Sequence, residues 1–429
     1  MMDLGYLRTH AEEVQKNCDD RRMTIDVAAF LALDERRLAS LRQVEELRRE
    51  RNEVAQRIPN VSADERPALV ARGKALKEEL ATLEATLEAL EAETREELLR
   101  IPNRAHPDAP LGGSDAENVE IARGGGEIRP LTQPKSHTEL AASLDLLDFD
   151  RAAKVTGAKF YYVKNDLVLL EQALILWGLQ ELRKEGFIPL ETPDLAKQEV
   201  LMGTGYNPRG EETQIYSIEG TDLSLVGTAE ITIGGYHRDE ILDESALPLK
   251  YVGLSHCFRT EAGSYGRESY GLYRVHQFSK VEMFVVCTPE HSDAIHEEIR
   301  RLEERIFTKL GIPYRVLDIC TADLGAPAYR KYDLEAWMWG KKQGAGDWGE
   351  VTSASNCTDY QSRRLNIRVR RADGSLDYVH TLNGTALALS RAMIAVLENY
   401  QQEDGSILVP EVLRPLCGFE RITPRSSAM

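Results

Sequence analysis

The sequence predicts an α+β protein with an N-terminal antiparallel helical coiled-coil arm, followed by a larger domain in which helices flank an antiparallel β-sheet. Two observations carry this prediction. Glycine is nearly absent between Tyr6 and Gly112, where only Gly73 interrupts. Beyond this region, strand-like segments follow one another in a way that favours hairpins over successive βαβ units. The 429 residues suffice for two or three domains, and we expect two, residues 1–110 and 111–429.

Two leucine-rich segments predict the arm. In each, apolar residues recur every three or four positions among glutamate, lysine and arginine, which is the spacing of a coiled-coil seam. The sequence PNVSADERP between them predicts the reversal, with Pro59 ending the first helix and Ser62 or Asp64 capping the second. The seam positions are Leu38, Leu41, Val44, Leu47, Val54 and Ile58, then Leu76, Leu80, Leu83, Leu87 and Leu90.

The pattern of the arm leaves its purpose open. A dimerising or spacer coil has the same pattern as an arm that reaches a distant partner. Arginines cluster along the first helix, but glutamates are interleaved with them and can pair with them on the helix surface. The clustered arginines are Arg36, Arg37, Arg42, Arg48, Arg49, Arg51 and Arg57.

A Pro-, Gly- and Asn-rich segment, residues 101–118, predicts a linker between the two domains. After it, residues 165–186 predict a helix and GFIPLETPDL predicts a strand. Further strands are predicted at 213–227, 250–262, 273–288, 313–320, 350–357 and 365–382.

Composition and targeting signals narrow the class of protein. No apolar run approaches the roughly 18 residues that a membrane span requires, and the N-terminus resembles neither a signal peptide nor a transit peptide, so we expect a cytoplasmic protein with no membrane partner. The six cysteines are scattered without a CxxC pair, which argues against disulfides and structural zinc. A net charge of −17 argues against a uniformly basic nucleic-acid-binding surface but allows a local basic footprint. No P-loop motif is present.

The segment FRTEAGSYGRESYGLYRVHQFSKVEMF predicts the floor of a polar pocket. Alternate residues of its second strand put rings and charges of both signs on one face, where a core would need apolar side chains. The first strand brings Arg259 and Glu261 beside Phe278, and SYGRESYGLY between the strands predicts a flexible loop. A ligand with a planar ring and anionic oxygens explains this set, and a structural salt-bridge lattice is the alternative. The polar face comprises Arg274, His276, Phe278, Lys280, Glu282 and Phe284.

Two further segments combine carboxylates with hydroxyl groups. In GTAE, Thr228 and Glu230 share one strand face and suit an ammonium and a hydroxyl group, or else they form a surface strand end. In DWGEVTSAS, Glu350, Ser353 and Ser355 are hard oxygen ligands that suit Mg²⁺ held together with phosphates, or else they form a polar turn.

The last polar segment is HTLNGTALALSRAMIAVLENY. Asn383 and Thr385 lead into a helix of small residues in which Arg391 is the only charge in ALALSRAMIAVL. An arginine in that setting either extends along the surface to reach water or clamps a terminal phosphate.

Taken together, these segments resemble the class II aminoacyl-tRNA synthetases, and among them the seryl-tRNA synthetases. FRTE with HQFSKVE is similar to motif 2, NGTALALSR to motif 3, and GFIPLETPDL, with Pro193, to motif 1. GTAE, RVHQFSKVE, SNCTDYQSRRLNIR, IPNRAHPDAPLG and the helical hairpin are similar to the seryl-tRNA synthetase pattern, so the resemblance covers roughly residues 1–418.

The resemblance implies an ATP site. Arg259 would bind the α-phosphate, Glu261 the adenine end and Arg391 the γ-phosphate, while Phe278 would stack on the adenine. The implied ATP-binding residues are Arg259, Glu261, Phe278, Glu350, Val351, Thr352, Ser353 and Arg391.

The resemblance also implies a serine pocket and a Mg²⁺ site. Mg²⁺ would lie by Glu350 and Ser353, and no zinc is expected. The catalytic residues would be Arg259, Glu282 and Arg391. The implied serine-binding residues are Thr228, Ala229, Glu230, Glu282, Asn383 and Thr385.

The implied reaction is activation of serine by ATP, followed by transfer of serine to the 3′ end of tRNA(Ser), with tRNA(Sec) as a further candidate acceptor. The arm would bind the tRNA, and motif 1 would form the centre of a homodimer. A ligase that loads an amino acid onto a carrier protein would lack the arm. A non-catalytic tRNA-binding paralogue would lack Arg259, Glu282 or Arg391, and this chain has all three.

The sequence departs from the family pattern in two places. One is the motif 2 loop GRESYGLYR, at Glu268, Tyr270 and Tyr273. The other is the segment that contains Trp339 and Thr352.

Overall fold

The structure is a computed structural model, and it describes residues 1–206, 214–261 and 271–424. It comprises two compact units, Met1–Arg104 and Ala105–Met429. Among the described residues, no helix is both long and apolar enough to cross a bilayer.

The first unit is helical, as predicted. Its two long helices contain 31 and 35 residues, which corresponds to lengths of about 46 and 52 Å at 1.5 Å per residue. They run antiparallel, because Arg48 pairs with Glu84 while Val54, further along the first helix, lies against Gly73, earlier in the second. The helices are α1 (Leu4–Thr9), α2 (Ala11–Asp20), α3 (Val27–Arg57) and α4 (Arg66–Arg100).

The seam between α3 and α4 uses the predicted residues. Val44, Leu80 and Leu87 are buried together, with Leu41, Leu47 and Leu83 packed around them. The arm is therefore a coiled coil within one chain.

The predicted cap of α4 is wrong. A 3₁₀ turn, Ile58–Asn60, follows α3, and α4 begins at Arg66 with Pro67 in its first turn. Neither predicted residue caps α4, because its N-cap position is Glu65. The hydroxyl of Ser62 instead donates to the carboxylate of Glu65, at 3.0 Å.

The second unit mixes helices with strands. Its helices are α5 (His137–Leu144), α6 (Phe149–Val155), α7 (Asp166–Lys184), α8 (Gln198–Thr204), α9 (Ala229–Gly234), α10 (Ser292–Lys309), α11 (Tyr360–Leu365), α12 (Leu389–Tyr400) and α13 (Arg414–Cys417). Its strands are β1 (Val119–Gly124), β2 (Leu147–Asp148), β3 (Tyr162–Val163), β4 (Ile188–Glu191), β5 (Leu195–Lys197), β6 (Leu223–Leu225), β7 (Ile241–Asp243), β8 (Leu249–Phe258), β9 (Gln277–Cys287), β10 (Tyr314–Asp318), β11 (Arg330–Met338), β12 (Asp347–Thr358), β13 (Arg368–Arg370), β14 (Leu376–Tyr378), β15 (His380–Ala388), β16 (Ile407–Leu408) and β17 (Arg421–Ile422).

An eight-stranded sheet forms the centre of this unit, in the order β1-β10-β11-β12-β15-β9-β8-β4. Every neighbouring pair in it is antiparallel except β4 and β8, which run parallel. This confirms the predicted fold class. The sequence prediction missed β1 and β11, although β11 alternates buried and partly exposed residues as a strand on a core should.

In the C-terminal half of β9, apolar side chains pack on both faces of the sheet. Val281, Met283 and Val285 belong to the main core, which includes residues of α7, α10 and α12. Phe284 and Val286 belong to a smaller cluster on the opposite face. This half of β9 is therefore packed on both sides.

Two predicted strands are wrong in part. In the predicted segment 213–227, only β6 is a strand among the described residues. The predicted segment 365–382 is divided into β13, β14 and the start of β15.

Thr228 and Glu230 do not share a strand face, because Thr228 caps α9, and its hydroxyl accepts the main-chain N–H of Glu230 at 3.2 Å. A threonine is a favoured N-cap, and this local preference outweighs the strand pattern.

Three of the four tryptophans lie together where β11 turns into β12. Trp337 makes edge-to-face contacts with Trp339 and Trp348, with ring centroids 5.6 and 5.3 Å apart. The ammonium group of Lys341, in the same turn, donates to the carbonyl of Trp348 at 2.9 Å. We call residues 337–348 the tryptophan turn.

Candidate active site

A cavity of about 410 Å³ opens above one end of the central strands. Cross-strand neighbours bring its polar residues together: Ser355 of β12 faces Asn383 of β15, and Thr385 of β15 faces Glu282 of β9. The predicted residues that line the cavity are Glu230, Arg259, Glu261, Phe278, Glu350, Val351, Thr352, Ser353, Asn383, Thr385 and Arg391.

At the β8–β9 side, a guanidinium lies beside an aromatic ring. The guanidinium carbon of Arg259 is 5.4 Å from the ring centroid of Phe278, and its Nη2 donates to the carbonyl of Gly227 at 3.3 Å. Glu261 has a positive φ of 48° and pairs with Arg274 at 3.3 Å. A ring next to a cation is suited to a ligand that has both a planar base and phosphate groups.

A second guanidinium, that of Arg391 on α12, lines the same cavity. Nη1 of Arg391 lies 3.2 Å from the carboxylate of Glu350 and donates to the main-chain carbonyl of Glu350 at 3.0 Å. Its guanidinium carbon lies 4.7 Å from the ring centroid of Tyr273, and the ammonium of Lys341 lies 4.8 Å from the same centroid. Arg391 is thus held over the cavity instead of extending into solvent.

The carboxylate of Glu350 is 43% exposed and Ser353 is partly exposed, so both offer oxygens to the cavity. Burial alone would raise the pKa of Glu350, but the nearby Arg391 and Lys331 outweigh it and lower that pKa. A deprotonated carboxylate beside a hydroxyl fits a hard divalent cation that is also bound to phosphates. No cluster of three potential metal-ligating side chains occurs in the described parts of the chain.

A buried carboxylate forms the deep end of the cavity. Glu230 accepts hydrogen bonds from Gln361 at 2.7 Å, from Asn383 at 3.0 Å and from the hydroxyl of Tyr206 at 3.2 Å. Burial, together with the charge of Glu282, raises the pKa of Glu230 to about 7.

The second buried carboxylate is paired. Glu282 is 1% exposed and lies 2.6 Å from the ammonium of Lys280, two residues along the same strand face. It also accepts from the hydroxyl of Thr385 at 3.0 Å. With Glu230 it makes a water-excluded region that can neutralise a cationic group and hydrogen-bond a hydroxyl group.

Some predicted residues do not offer their side chains to the cavity. Thr228 and Ala229 are fully buried and do not line it. Glu282 does not line it either, but it bonds to Lys280 and Thr385, which do. The hydroxyl of Thr352 donates to Glu303 on α10, at 2.7 Å, and the side chain of Val351 belongs to the main core.

Residues 1–105 match the model of the seryl-tRNA synthetase N-terminal domain, and residues 215–400 match that of the tRNA synthetase class II core domain (G, H, P, S and T). A serine–tRNA ligase from Treponema denticola is 56% identical over 98% of this chain and 100% of its own.

The chain belongs to the seryl-tRNA synthetase family.

Solved members of the family have the same fold. The seryl-tRNA synthetase of Pyrococcus horikoshii, solved with ATP, superposes with a TM-score of 0.90 at 41% identity and covers 99% of this chain and 100% of its own. The cytoplasmic enzyme of Naegleria fowleri, solved with AMP, gives 0.84 at 30% identity over 98% of this chain and 97% of its own.

Within the seryl-tRNA synthetase fold, the motifs lie on β8 and β9 (motif 2), β15 and α12 (motif 3) and β4 (motif 1). Most of the predicted flexible loop of motif 2 lies outside the described residues, including Glu268 and Tyr270. Two further departures from the family pattern, Tyr273 and Thr352, line the cavity. The ring of Tyr273 contacts the guanidinium of Arg391, and the hydroxyl of Thr352 donates to Glu303.

Sequence reasoning did not assign several residues that line the cavity. Lys280 was visible in the alternating pattern of HQFSKVE, so the same signal that found Glu282 could have found it. Lys331 lies on the missed strand β11, and Tyr206 lies just after α8, in a segment with no motif. Gln361, on α11, does not line the cavity but donates to the carboxylate of Glu230, a contact that no local pattern reveals.

The raised pKa of Glu230 gives a pH-dependent stability. A carboxyl whose pKa is higher in the folded state than in the unfolded state loses stabilising free energy as the pH rises through the folded value. For Glu230 this loss occurs between pH 4.5 and about 7. We expect Glu230→Gln to remove it, so that the variant gains about 1 kcal/mol of stability relative to the unmodified protein between pH 6 and pH 8.

Urea unfolding of both proteins at pH 6 and pH 8, above the isoelectric point of 5.2, measures this gain. Glu88→Gln, at an exposed position of α4, is the control and should leave the difference between the two pH values unchanged. An equal pH dependence in Glu230→Gln and in the unmodified protein would contradict the assignment.

Proposed function

We propose that this chain, a serine–tRNA ligase by family, forms seryl-adenylate in the cavity described above and then transfers serine to the 3′ end of tRNA(Ser). The observation that carries the proposal is that two guanidiniums, Arg259 and Arg391, line one cavity together with the buried carboxylate of Glu230. A second buried carboxylate, Glu282, lies directly behind two lining residues, Lys280 and Thr385. Such a cavity accepts a polyphosphate across its mouth and a small ammonium-bearing molecule at its base. tRNA(Sec) is a further acceptor within the same proposal.

Adenylate formation needs little general acid–base catalysis, because the attacking group is already ionised. A carboxylate oxygen of serine, already ionised, attacks the α-phosphorus of ATP in line. The bond from that phosphorus to the oxygen bridging to the β-phosphate breaks, and pyrophosphate leaves with the electron pair. Arg259 binds the α-phosphate, Arg391 binds the γ-phosphate and Phe278 stacks on the adenine, whose far end meets Glu261. Catalysis is then positioning together with stabilisation of charge on the phosphates.

Serine is recognised at the base of the cavity. The ammonium group pairs with Glu230, and the hydroxyl group hydrogen-bonds to Glu282 and Thr385, with Asn383 completing the wall. Alanine is disfavoured because it lacks the hydroxyl and cannot make the additional hydrogen bonds to these buried groups. Thr228 fixes the start of α9, and thereby Glu230, through its capping hydroxyl, and Ala229 is the first residue of that helix.

Glu350 and Ser353 are the residues that hold Mg²⁺ in this proposal. The cation, when bound, neutralises charge on the phosphate oxygens. Val351 and Thr352 keep this strand packed: Val351 lies in the core and Thr352 is bonded to α10.

The arm, residues 1–110, binds the tRNA, and the catalytic domain, residues 111–429, carries out the chemistry. Some arm arginines pair with glutamates, as the salt-bridge alternative requires, for example Arg48 with Glu84. Arg42, Arg51 and Arg57 are exposed, and no ion pair with another described residue involves them. They are therefore available for phosphates of the tRNA.

The active form is a homodimer built around motif 1. Three large apolar side chains near this motif are 47–50% exposed: Leu169 and Leu176 on α7, and Ile188 on β4. β4 is also the last strand of its sheet, so one edge has no partner strand within the described part of the chain. An exposed apolar patch beside an open strand edge supports a self-complementary interface.

We place the enzyme in the cytoplasm, where protein synthesis uses its product.

Transfer of labelled serine to total tRNA, in the presence of ATP and Mg²⁺, tests the function. We expect charging with serine and neither alanine nor threonine. Serine-dependent exchange of pyrophosphate into ATP without any charging would indicate another acceptor, as in a carrier-protein ligase. The absence of both activities would indicate a non-catalytic tRNA-binding paralogue.

Arg259→Ala tests the assignment of the α-phosphate. Since the guanidinium would stabilise the negative charge that increases on the α-phosphate oxygens during the reaction, we expect serine-dependent pyrophosphate exchange to fall by at least about 100-fold, while the fold is retained. Arg259→Lys keeps the charge but not the two-pronged geometry, and it should recover only part of the loss. Near-normal exchange in Arg259→Ala would overturn the assignment.

Charge reversal on the arm tests its role. In Arg51→Glu/Arg57→Glu we expect the KM for tRNA to rise by about tenfold or more, with a weaker salt dependence, because phosphate contacts are lost. Pyrophosphate exchange without tRNA should be unchanged. Lys154→Glu/Arg370→Glu, at exposed positions of the second unit, gives the same change in net charge as a control. Equal effects of the two double variants on charging would reject the arm as the tRNA-binding element.

A further inference from the structure

A buried carboxylate–imidazole pair lies behind the cavity, and it takes no part in the chemistry described above. Glu398, near the end of α12, is 1% exposed, and its Oε1 accepts from Nδ1 of His137, at the start of α5, at 2.8 Å. The same oxygen accepts the main-chain N–H of His137, also at 2.8 Å. The other oxygen accepts the main-chain N–H of Gly340 at 2.7 Å.

These contacts determine the tautomer of the imidazole. Nδ1 of His137 carries the hydrogen because it faces a carboxylate, so Nε2 is left as an acceptor. Nε2 receives the main-chain N–H of Leu272 at 3.1 Å. Both ring nitrogens are thus used, and the ring joins α5 and α12 to the segment that enters β9.

Leu272 directly precedes Tyr273, whose ring lies against the guanidinium of Arg391. The carbonyl of Tyr273 also accepts from Nε of Arg391, at 3.5 Å. The position of the Leu272 main chain therefore fixes a side chain that touches the proposed γ-phosphate ligand.

Two glycines show how closely the chain approaches this pair. A Cβ atom at Gly271, where φ is +72°, would lie 2.1 Å from Nε2 of His137. A Cβ atom at Gly340 would lie 2.7 Å from Oε1 of Glu398. Gly340 is followed by Lys341, whose ammonium lies 4.8 Å from the ring centroid of Tyr273. Two separate segments, at Gly271 and at Gly340, are therefore held against one carboxylate–imidazole pair.

We propose that His137 and Glu398 are a positioning pair that holds Leu272 and Tyr273 so that Arg391 is oriented for the terminal phosphate of ATP. The proposal rests on the proposed function, since it assigns Arg391 to ATP. It predicts an effect on ATP that is separate from any effect on serine, because Glu230, Glu282 and Thr385 have no contact with the pair.

Two near-isosteric substitutions separate the two ring nitrogens. The amide of His137→Asn reaches the position of Nδ1, so it can still donate to Glu398, but it leaves the N–H of Leu272 without an acceptor. The amide oxygen of His137→Gln reaches the position of Nε2, so it can accept from Leu272. Because the proposal depends on the hydrogen bond to Leu272, His137→Gln should preserve the binding of ATP and His137→Asn should not.

Serine-dependent pyrophosphate exchange, with ATP and serine varied in turn, gives the two KM values for each variant. We expect His137→Asn and His137→Ala to raise the KM for ATP by about tenfold or more while changing the KM for serine by less than about twofold. We expect His137→Gln to stay within about threefold of the unmodified enzyme for both substrates.

His296→Ala is the matched control for loss of a buried histidine. His296 is 3% exposed and bonds to the carbonyl of Ala354 at 2.9 Å, with no contact to Tyr273. The His296→Ala variant should have a lower thermal unfolding temperature but no selective rise in the KM for ATP.

Three outcomes would overturn the proposal: unchanged KM values for ATP in all His137 variants, equal rises in both KM values, or a pattern that His296→Ala reproduces. If His137→Ala fails to fold, the comparison of asparagine with glutamine decides alone. Failure of the unmodified protein to catalyse exchange would instead contradict the proposed function, so the two failures can be distinguished.

Discussion

The structure depends on keeping two carboxylates, Glu230 and Glu282, and one ammonium, Lys280, out of water at the base of a cavity. Withdrawing ions from water costs free energy that their mutual attraction only partly returns. Each of these groups therefore needs hydrogen-bond partners in fixed positions, and these partners come from β9, β15, α11 and the chain after α8. The antiparallel strands supply that rigidity, because cross-strand neighbours fix which side chains meet.

This arrangement explains the mixture of charges on the polar face of β9. A buried set of ions is a poor way to stabilise a fold, since apolar residues of similar size do so as well or better. The set has a purpose if a ligand completes it. Burial and the charge of Glu282 raise the pKa of Glu230, so a cationic group bound beside Glu230 would favour its carboxylate form. The ammonium group of serine is such a cationic group in the proposed function.

The sequence predicted the fold class, the arm and its seam, because these follow from periodicity and from glycine distribution, which are local properties. It missed β11, although the burial of alternate residues there is regular, and it read Thr228 as a strand residue when the preference of threonine for helix N-caps decided the local structure. For the candidate site, the motifs identified residues that lie around one cavity. Contacts such as Gln361 with Glu230, or His137 with Leu272, join residues more than a hundred positions apart, and no spacing rule in a single sequence encodes them.

The tryptophan turn has a practical consequence. Three of the four indoles of the chain are in contact there, and the same turn places Lys341 against Tyr273, whose ring also touches Arg391. Trp177 is the fourth indole, and it is buried on α7. Three of the four indoles therefore lie in one turn that contacts Tyr273, a residue of the cavity lining, so indole fluorescence offers a way to follow occupancy of the cavity without attaching a dye.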